Sequence, residues 1–124
     1  MKKILIAEDD KFLGNAYRVK LSKENFEVKI AEDGDEALEA LKTFNPDLIL
    51  LDLVMPKKDG FSFLAEFKAD KKNGKIPVII ASNLGQKEDI DRGMSLGATD
   101  YIIKSDLSLD TLIQKINSIL NKSV

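Results

Sequence analysis

The chain of 124 residues contains no cysteine, which removes disulfide frameworks, thiolate catalysis and cysteine-held zinc or iron–sulfur sites together. It contains no histidine either, so a Ser-His-Asp arrangement, a histidine metal site and an internal phosphohistidine are all excluded. Neither charge sign dominates. Nineteen Lys and Arg stand against twenty-one Asp and Glu, a formal charge of -2, so no global positive field draws the chain to nucleic acid or anionic lipid. No apolar run approaches the roughly 20 residues of a membrane span. The apolar stretch after Met1-Lys2-Lys3 meets Glu8-Asp9-Asp10 too early for a signal peptide and reads as a strand. The expectation is a cytoplasmic protein that contacts neither membrane nor nucleic acid directly.

What is present describes one folded unit. Hydrophobic residues make up 44% and charged residues 32%, which is enough apolar material for one core and lacks the polar bias of disorder. No linker, repeat or low-complexity tract divides the chain, so residues 1–124 are expected to form one domain. Five short apolar runs, Ile4–Ala7, Phe26–Ala31, Leu48–Leu51, Val78–Ala81 and Tyr101–Ile103, read as strands. Pro46 and Pro77 precede the third and fourth, where a missing N–H disturbs the ladder least. The first, third and fourth are almost wholly apolar, as strands covered on both faces must be.

Helical stripes alternate with these runs. Leu13, Ala16, Tyr17 and Leu21 form one; Ala37, Leu38, Leu41 and Phe44 form a second; Phe61, Leu64 and Phe67 form a third. A weaker stripe spans Gln86–Leu96, and the clearest joins Leu112, Ile113, Ile116, Ile119 and Leu120, with Ser108 available as cap. Regular alternation of strand and helix implies βαβ units with right-handed crossovers, and hence an α/β doubly wound sandwich.

In such a sheet, ligands bind beyond the carboxyl ends of the strands. Glu8, Asp9 and Asp10 follow the first strand, Asp52 the third, Ser82 and Asn83 the fourth, and Lys104 the fifth. Glu8, Asp9 and Asp52 would crowd like charges into one cleft, where a hard divalent cation relieves the repulsion. With oxygen donors only, Mg²⁺ is favoured. Lys104 adds a fixed positive charge and Ser82 a hydroxyl donor, completing a site for a phosphoryl group on Asp52. Taken singly, each residue has a plainer reading: Asp10 as a helix N-cap, Asp9 as a loop acid, Ser82 as a turn residue, Lys104 as a surface charge, Tyr101 as a strand aromatic. The ordered set at four strand ends is what argues for chemistry.

These residues resemble the receiver domain of two-component response regulators. The likeness rests on Ile4-Leu5-Ile6-Ala7-Glu8-Asp9-Asp10, on Leu51-Asp52-Leu53-Val54-Met55-Pro56-Lys57-Lys58-Asp59-Gly60, on Pro77–Ser82, on Gly97–Tyr101 and on Lys104. The resemblance implies a flavodoxin-like fold with a five-stranded parallel sheet in the order 2-1-3-4-5 and five helices. It implies that Asp52 accepts phosphate from a sensor histidine kinase or histidine phosphotransfer protein. Glu8, Asp9, Asp52 and the Val54 carbonyl would then hold Mg²⁺, while Ser82 and Lys104 grip the phosphoryl oxygens. Ser82 and Tyr101 would act as the switch that remodels the face formed by the fourth helix, fifth strand and fifth helix for a downstream protein. Such a chain is a signalling phosphoacceptor rather than an enzyme in the usual sense.

Three positions depart from the family pattern. Ser105 stands where proline usually follows the lysine, and a cis bond without proline costs about 2.5–4 kcal/mol, so a trans bond and a shifted loop are expected. Asn83 places an amide after the switch hydroxyl. Val54 and Leu84, two residues beyond Asp52 and Ser82, are apolar where polar groups would orient an attacking water. Two other classes share the architecture. A flavin carrier should place a Ser/Thr/Gly-rich phosphate loop where Glu8-Asp9-Asp10 stands, and an aspartate-nucleophile phosphatase should carry two aspartates spaced by one residue there. A receiver that has lost phosphorylation and serves only for docking is the remaining alternative.

Overall fold

The computed structural model describes residues 1–106 and 108–121, so the last three residues of the expected 1–124 domain lie outside the described residues. Elements follow in the order β1 (Lys3–Ala7), α1 (Lys11–Lys23), β2 (Glu27–Ala31), α2 (Gly34–Leu41), β3 (Leu48–Leu51), α3 (Gly60–Ala69), β4 (Val78–Ser82), α4 (Lys87–Ser95), β5 (Asp100–Ile103), a 3₁₀ turn (Lys104–Asp106) and α5 (Leu109–Leu120). The strands form one parallel sheet in the order β2-β1-β3-β4-β5. All five expected strands are present, shifted at their starts or ends by a single residue at most.

Alternation along the central strands explains why they are apolar throughout. Leu5, Ala7, Ile49, Leu51 and Ile80 face one layer with Ala37, Leu41, Phe63, Leu64 and Phe67. Ile4, Ile6, Leu48, Leu50, Ile79 and Ala81 face the other with Tyr17, Leu21, Leu112, Ile113 and Ile116. A strand covered by helices on both faces has no polar side, as the Leu48-Ile49-Leu50-Leu51 run displays. Phe63, absent from the third expected stripe, is fully buried and stacks on Phe67 with ring centroids 5.6 Å apart. The helix buries a wider face than a single stripe because it packs on both the sheet and α2. Phe44, placed in the second stripe, lies beyond the end of α2 and packs on the same core from the loop.

Helix starts follow the capping rule. Asp10, Asp33, Asp59 and Ser108 each accept a hydrogen bond from the backbone N–H three residues on. The Asp10 bond, 3.1 Å from Leu13 N–H, bears out its reading as a cap. By contrast α4 begins at Gln86 without a side-chain cap, and its single buried residue is Gly93. It buries fewer of its residues than any other described α-helix.

The consequence for function lies in strand order. The chain leaves β1 toward β2 on one side, and β3 lies on the other, so a crevice opens above the carboxyl ends of β1 and β3. Backbone bonds from Glu8 N–H to Ala31 and from Asp52 N–H to Ala7, both 2.9 Å, fix the first residues beyond those strands. Truncating Phe63 to Ala is expected to lower stability by about 3–5 kcal/mol, a large fraction of a domain's total, as read by urea unfolding.

Candidate functional site

Four strand ends meet in one cleft of about 430 Å³, lined by Glu8, Asp9, Asp10, Asp52, Val54, Ser82, Asn83, Leu84 and Lys104. Glu8, Asp9 and Asp52 each offer a carboxylate oxygen, and these oxygens all lie within 4.8 Å of one another. Glu8 and Asp52 are buried and Asp9 is exposed at the rim. Lys104 reaches in from the end of β5, with its Nζ 2.6 Å from Glu8 Oε1 and 3.1 Å from Asp52 Oδ2. One ammonium among three carboxylates leaves two negative charges when all are ionised. A divalent cation with oxygen preference matches that remainder in charge and in donor type. Every sequence-expected acid and the lysine are therefore brought together.

Burial pushes the Glu8 carboxyl up to about 7, opposed by its hydrogen bond from Lys104 and reinforced by repulsion from Asp52. Burial alone would lower Lys104, yet the hydrogen bond to Glu8 and attraction to Asp52 more than offset it and hold the ammonium above its usual range. The lysine thus stays charged across the physiological range while Glu8 changes protonation within it. Glu8 also accepts from Asp10 N–H at 3.1 Å, which ties its side chain to the start of α1.

Ser82 is fully buried, its Oγ accepts from Leu84 N–H at 3.2 Å, and its hydroxyl also stands within hydrogen-bond reach of the Tyr101 phenol. Tyr101 is half-buried against the core, and its hydroxyl donates to the Leu84 carbonyl. Leu84 is consequently clasped at both ends of its backbone, by Ser82 and by Tyr101. Burial raises the Tyr101 phenol above its usual range. Val54 is 60% exposed at the cleft mouth, with its N–H 3.4 Å from Asp52 Oδ1. Asn83 is exposed at the same mouth. The Lys104–Ser105 bond is trans, as expected, and the chain turns there through one 3₁₀ turn. Among the described residues, no buried side-chain polar atom lacks a hydrogen-bond partner.

Sequence reasoning missed the residues that hold the Asp52 loop. Gly60 donates its N–H to Leu53 at 2.9 Å, and a Cβ there would collide with the Asp52 carbonyl and lie 2.7 Å from Leu53 Cα. Asp33 is buried and caps α2 through Glu36 N–H at 2.9 Å. The available signal was the Asp-Gly pair that opens both helices, Asp33-Gly34 and Asp59-Gly60, where a cap precedes a residue without a side chain.

A doubly wound parallel sheet with a charged cleft at its switch point places the molecule in the flavodoxin-like class. Comparison with known proteins narrows this. The chain belongs to the response regulator receiver domain family, which residues 4–117 match. It is 31% identical over 123 residues to the DNA-binding dual master transcriptional regulator RpaA of Synechocystis sp., covering 99% of this chain and 51% of that protein. The receiver domain of the Francisella response regulator 1452 superposes with a TM-score of 0.90 at 35% identity, over 100% of both chains. The phosphorylated cyanobacterial phytochrome response regulator RcpA superposes with a TM-score of 0.83 at 35% identity, over 99% of this chain and 96% of that one. The chain spans about half the length of the first curated relatives it matches. It is a signalling domain, and no described helix is long and apolar enough to cross a membrane.

The Glu8 shift has a consequence for metal-free protein. Between pH 4.5 and about 7 the folded chain retains a proton on Glu8 that the unfolded chain releases. This group's contribution to stability therefore falls as pH rises through that window and is fully lost above it. Glu8→Gln is expected to flatten the pH dependence, becoming relatively more stable than wild type from pH 5 to pH 8 in urea titrations with chelator present. Parallel pH profiles for the two proteins would contradict the assignment.

Proposed function

We propose that residues 1–124 form one receiver domain in which Asp52 accepts a phosphoryl group from a phosphohistidine on a sensor histidine kinase or histidine phosphotransfer protein. The observation that carries this reading is the buried Asp52 carboxylate in contact with Lys104 and within 4.8 Å of the oxygens of Glu8 and Asp9. An Asp52 oxygen attacks phosphorus, the P–N bond to the partner's imidazole breaks, and the departing nitrogen takes up a proton. Mg²⁺, when held by Glu8, Asp9, Asp52 and the Val54 carbonyl, supplies the positive charge that offsets repulsion between the anionic nucleophile and the phosphoryl oxygens. Lys104, paired with Asp52, would transfer that ion pair to a phosphoryl oxygen. Ser82 can donate its hydroxyl hydrogen to another while still accepting from Leu84 N–H. With no histidine among these 124 residues, the phosphohistidine lies outside them.

The readout follows from Leu84. Because Ser82 and Tyr101 hold opposite ends of that residue, a pull on the Ser82 hydroxyl reaches Tyr101 and the surface of α4, β5 and α5, where a downstream protein would dock. Phosphorylation shifts this equilibrium only by its differential interaction with the two arrangements. The domain promotes its own phosphorylation and a slow loss of phosphate, and turns over no other substrate. A net charge of -2 gives these residues no global positive field toward nucleic acid. Cytoplasmic residence accords with the lack of cysteine. A docking-only receiver is disfavoured, because loss of phosphorylation would leave no reason to keep four charged groups crowded in a cleft.

Incubation with acetyl phosphate and Mg²⁺ should add one phosphoryl mass to the wild type and none to Asp52→Asn, read by intact mass. Addition that persists without divalent cation would contradict the metal role. The phosphorylated chain should keep its phosphate for hours rather than seconds, because Val54 and Leu84 offer no group to orient water. Replacing Val54 with Asn or Glu should shorten that lifetime, followed by loss of the added mass over time.

A further inference from the structure

The segment from Asp52 to α3 is pinned twice. Its ends are closed on each other by the Gly60 N–H to Leu53 carbonyl bond at 2.9 Å. Its far side is fixed to another element, for Gly34 at the start of α2 donates its N–H to the Lys58 carbonyl at 3.0 Å. Three consecutive residues, the N-cap of α2 and its first two helical residues, take part. Asp33 Oδ2 lies 3.8 Å from Lys57 Nζ, and Asp35 Oδ1 lies 3.8 Å from Lys58 Nζ, which also pairs with Glu66. Between the pins the chain bends sharply, with Lys57 in the left-handed region at φ 63° and Lys58 N–H bonded to the Pro56 carbonyl at 2.7 Å. Position 34 has no room for any side chain. A Cβ there would sit 2.6 Å from the Lys58 carbonyl oxygen and 2.7 and 2.8 Å from Lys58 Cγ and Cβ.

We infer that Gly34 is a positioning residue for the metal-dependent chemistry at Asp52, because its close approach to Lys58 sets where the backbone of Val54 stands beside the acceptor carboxylate. The inference rests on the proposed function. Glu8, Asp9 and Asp52 present side-chain oxygens that can adjust by rotamer changes, whereas a backbone carbonyl moves only with its chain. Val54 lies between Asp52 and the pinned bend, with its N–H 3.4 Å from Asp52 Oδ1, so displacement of Lys58 passes through Pro56 to that residue. The first turn of α2 thereby controls a ligand it never touches, from a surface distinct from α4, β5 and α5.

Calorimetric titration of the folded, unphosphorylated chain with Mg²⁺ alone tests this directly. Gly34→Ala should raise the Mg²⁺ dissociation constant roughly tenfold or more, the size seen when a group supporting a metal ligand is disturbed. A folded Gly34→Ala protein that is merely less stable, with wild-type Mg²⁺ affinity, would overturn the inference while leaving the proposed function standing. If Gly34→Ala does not fold, the double variant with Lys58→Gly, which removes the crowding Cβ and Cγ, is compared with Lys58→Gly alone. The same rise is expected, and equal affinities would overturn the inference. A wild-type chain that takes no Mg²⁺ contradicts the proposed function itself, and this inference with it.

Discussion

Repulsion among Glu8, Asp9 and Asp52, only partly relieved by Lys104, is the constraint on which the rest of this molecule depends. A domain gains nothing in stability by collecting carboxylates at one sheet edge, and burial of Glu8 makes the arrangement less favourable still as pH rises. Strong packing elsewhere has to hold them there. Ile4–Ala7 and Leu48–Leu51 are fully buried between two helical layers, so β1 and β3 cannot shift to let the acids separate. The core sustains a strained electrostatic site, one that a proton on Glu8 or a divalent cation would relieve.

The same constraint explains the loops. For the proposed phosphorylation Asp52 would have to be accessible yet fixed beside Lys104, and its segment is short, sharply bent and tied at both sides by glycines that admit no side chain. Leu84 plays the corresponding part on the opposite wall, clasped between Ser82 and Tyr101. By contrast α4, next to that wall, lacks a side-chain cap and buries only Gly93. Under the proposed function, tied loops beside Asp52 and a helix that buries only one residue at the far wall would divide chemistry from response.

Much of this was legible in the order of residues. Near-continuous apolar runs marked central parallel strands, and Glu8, Asp9, Asp52, Ser82 and Lys104 fell at strand ends because the carboxyl edge of such a sheet is where polar residues can gather. Asp10 and Ser108 were readable as caps, since a cap acts within three residues of its own position. Contacts between distant segments were hidden. Nothing local in Asp33-Gly34 says that it meets Lys58, and nothing in Tyr101 says that its hydroxyl reaches Leu84, because both depend on how helices settle against the finished sheet. Phe63 escaped for a related reason: α3 is covered by α2 as well as by the sheet, and its buried face is wider than a single stripe.

The central claim is that one particular carboxylate, Asp52, becomes an acyl phosphate. Borohydride reduces an acyl phosphate to an alcohol, so treating the phosphorylated chain with it and mapping the peptides would convert the acceptor aspartate into homoserine. Homoserine at position 52 alone, formed only when Mg²⁺ was present during phosphorylation, is the predicted result. Homoserine at Asp9 or Asp10, or at position 52 without divalent cation, would contradict the account.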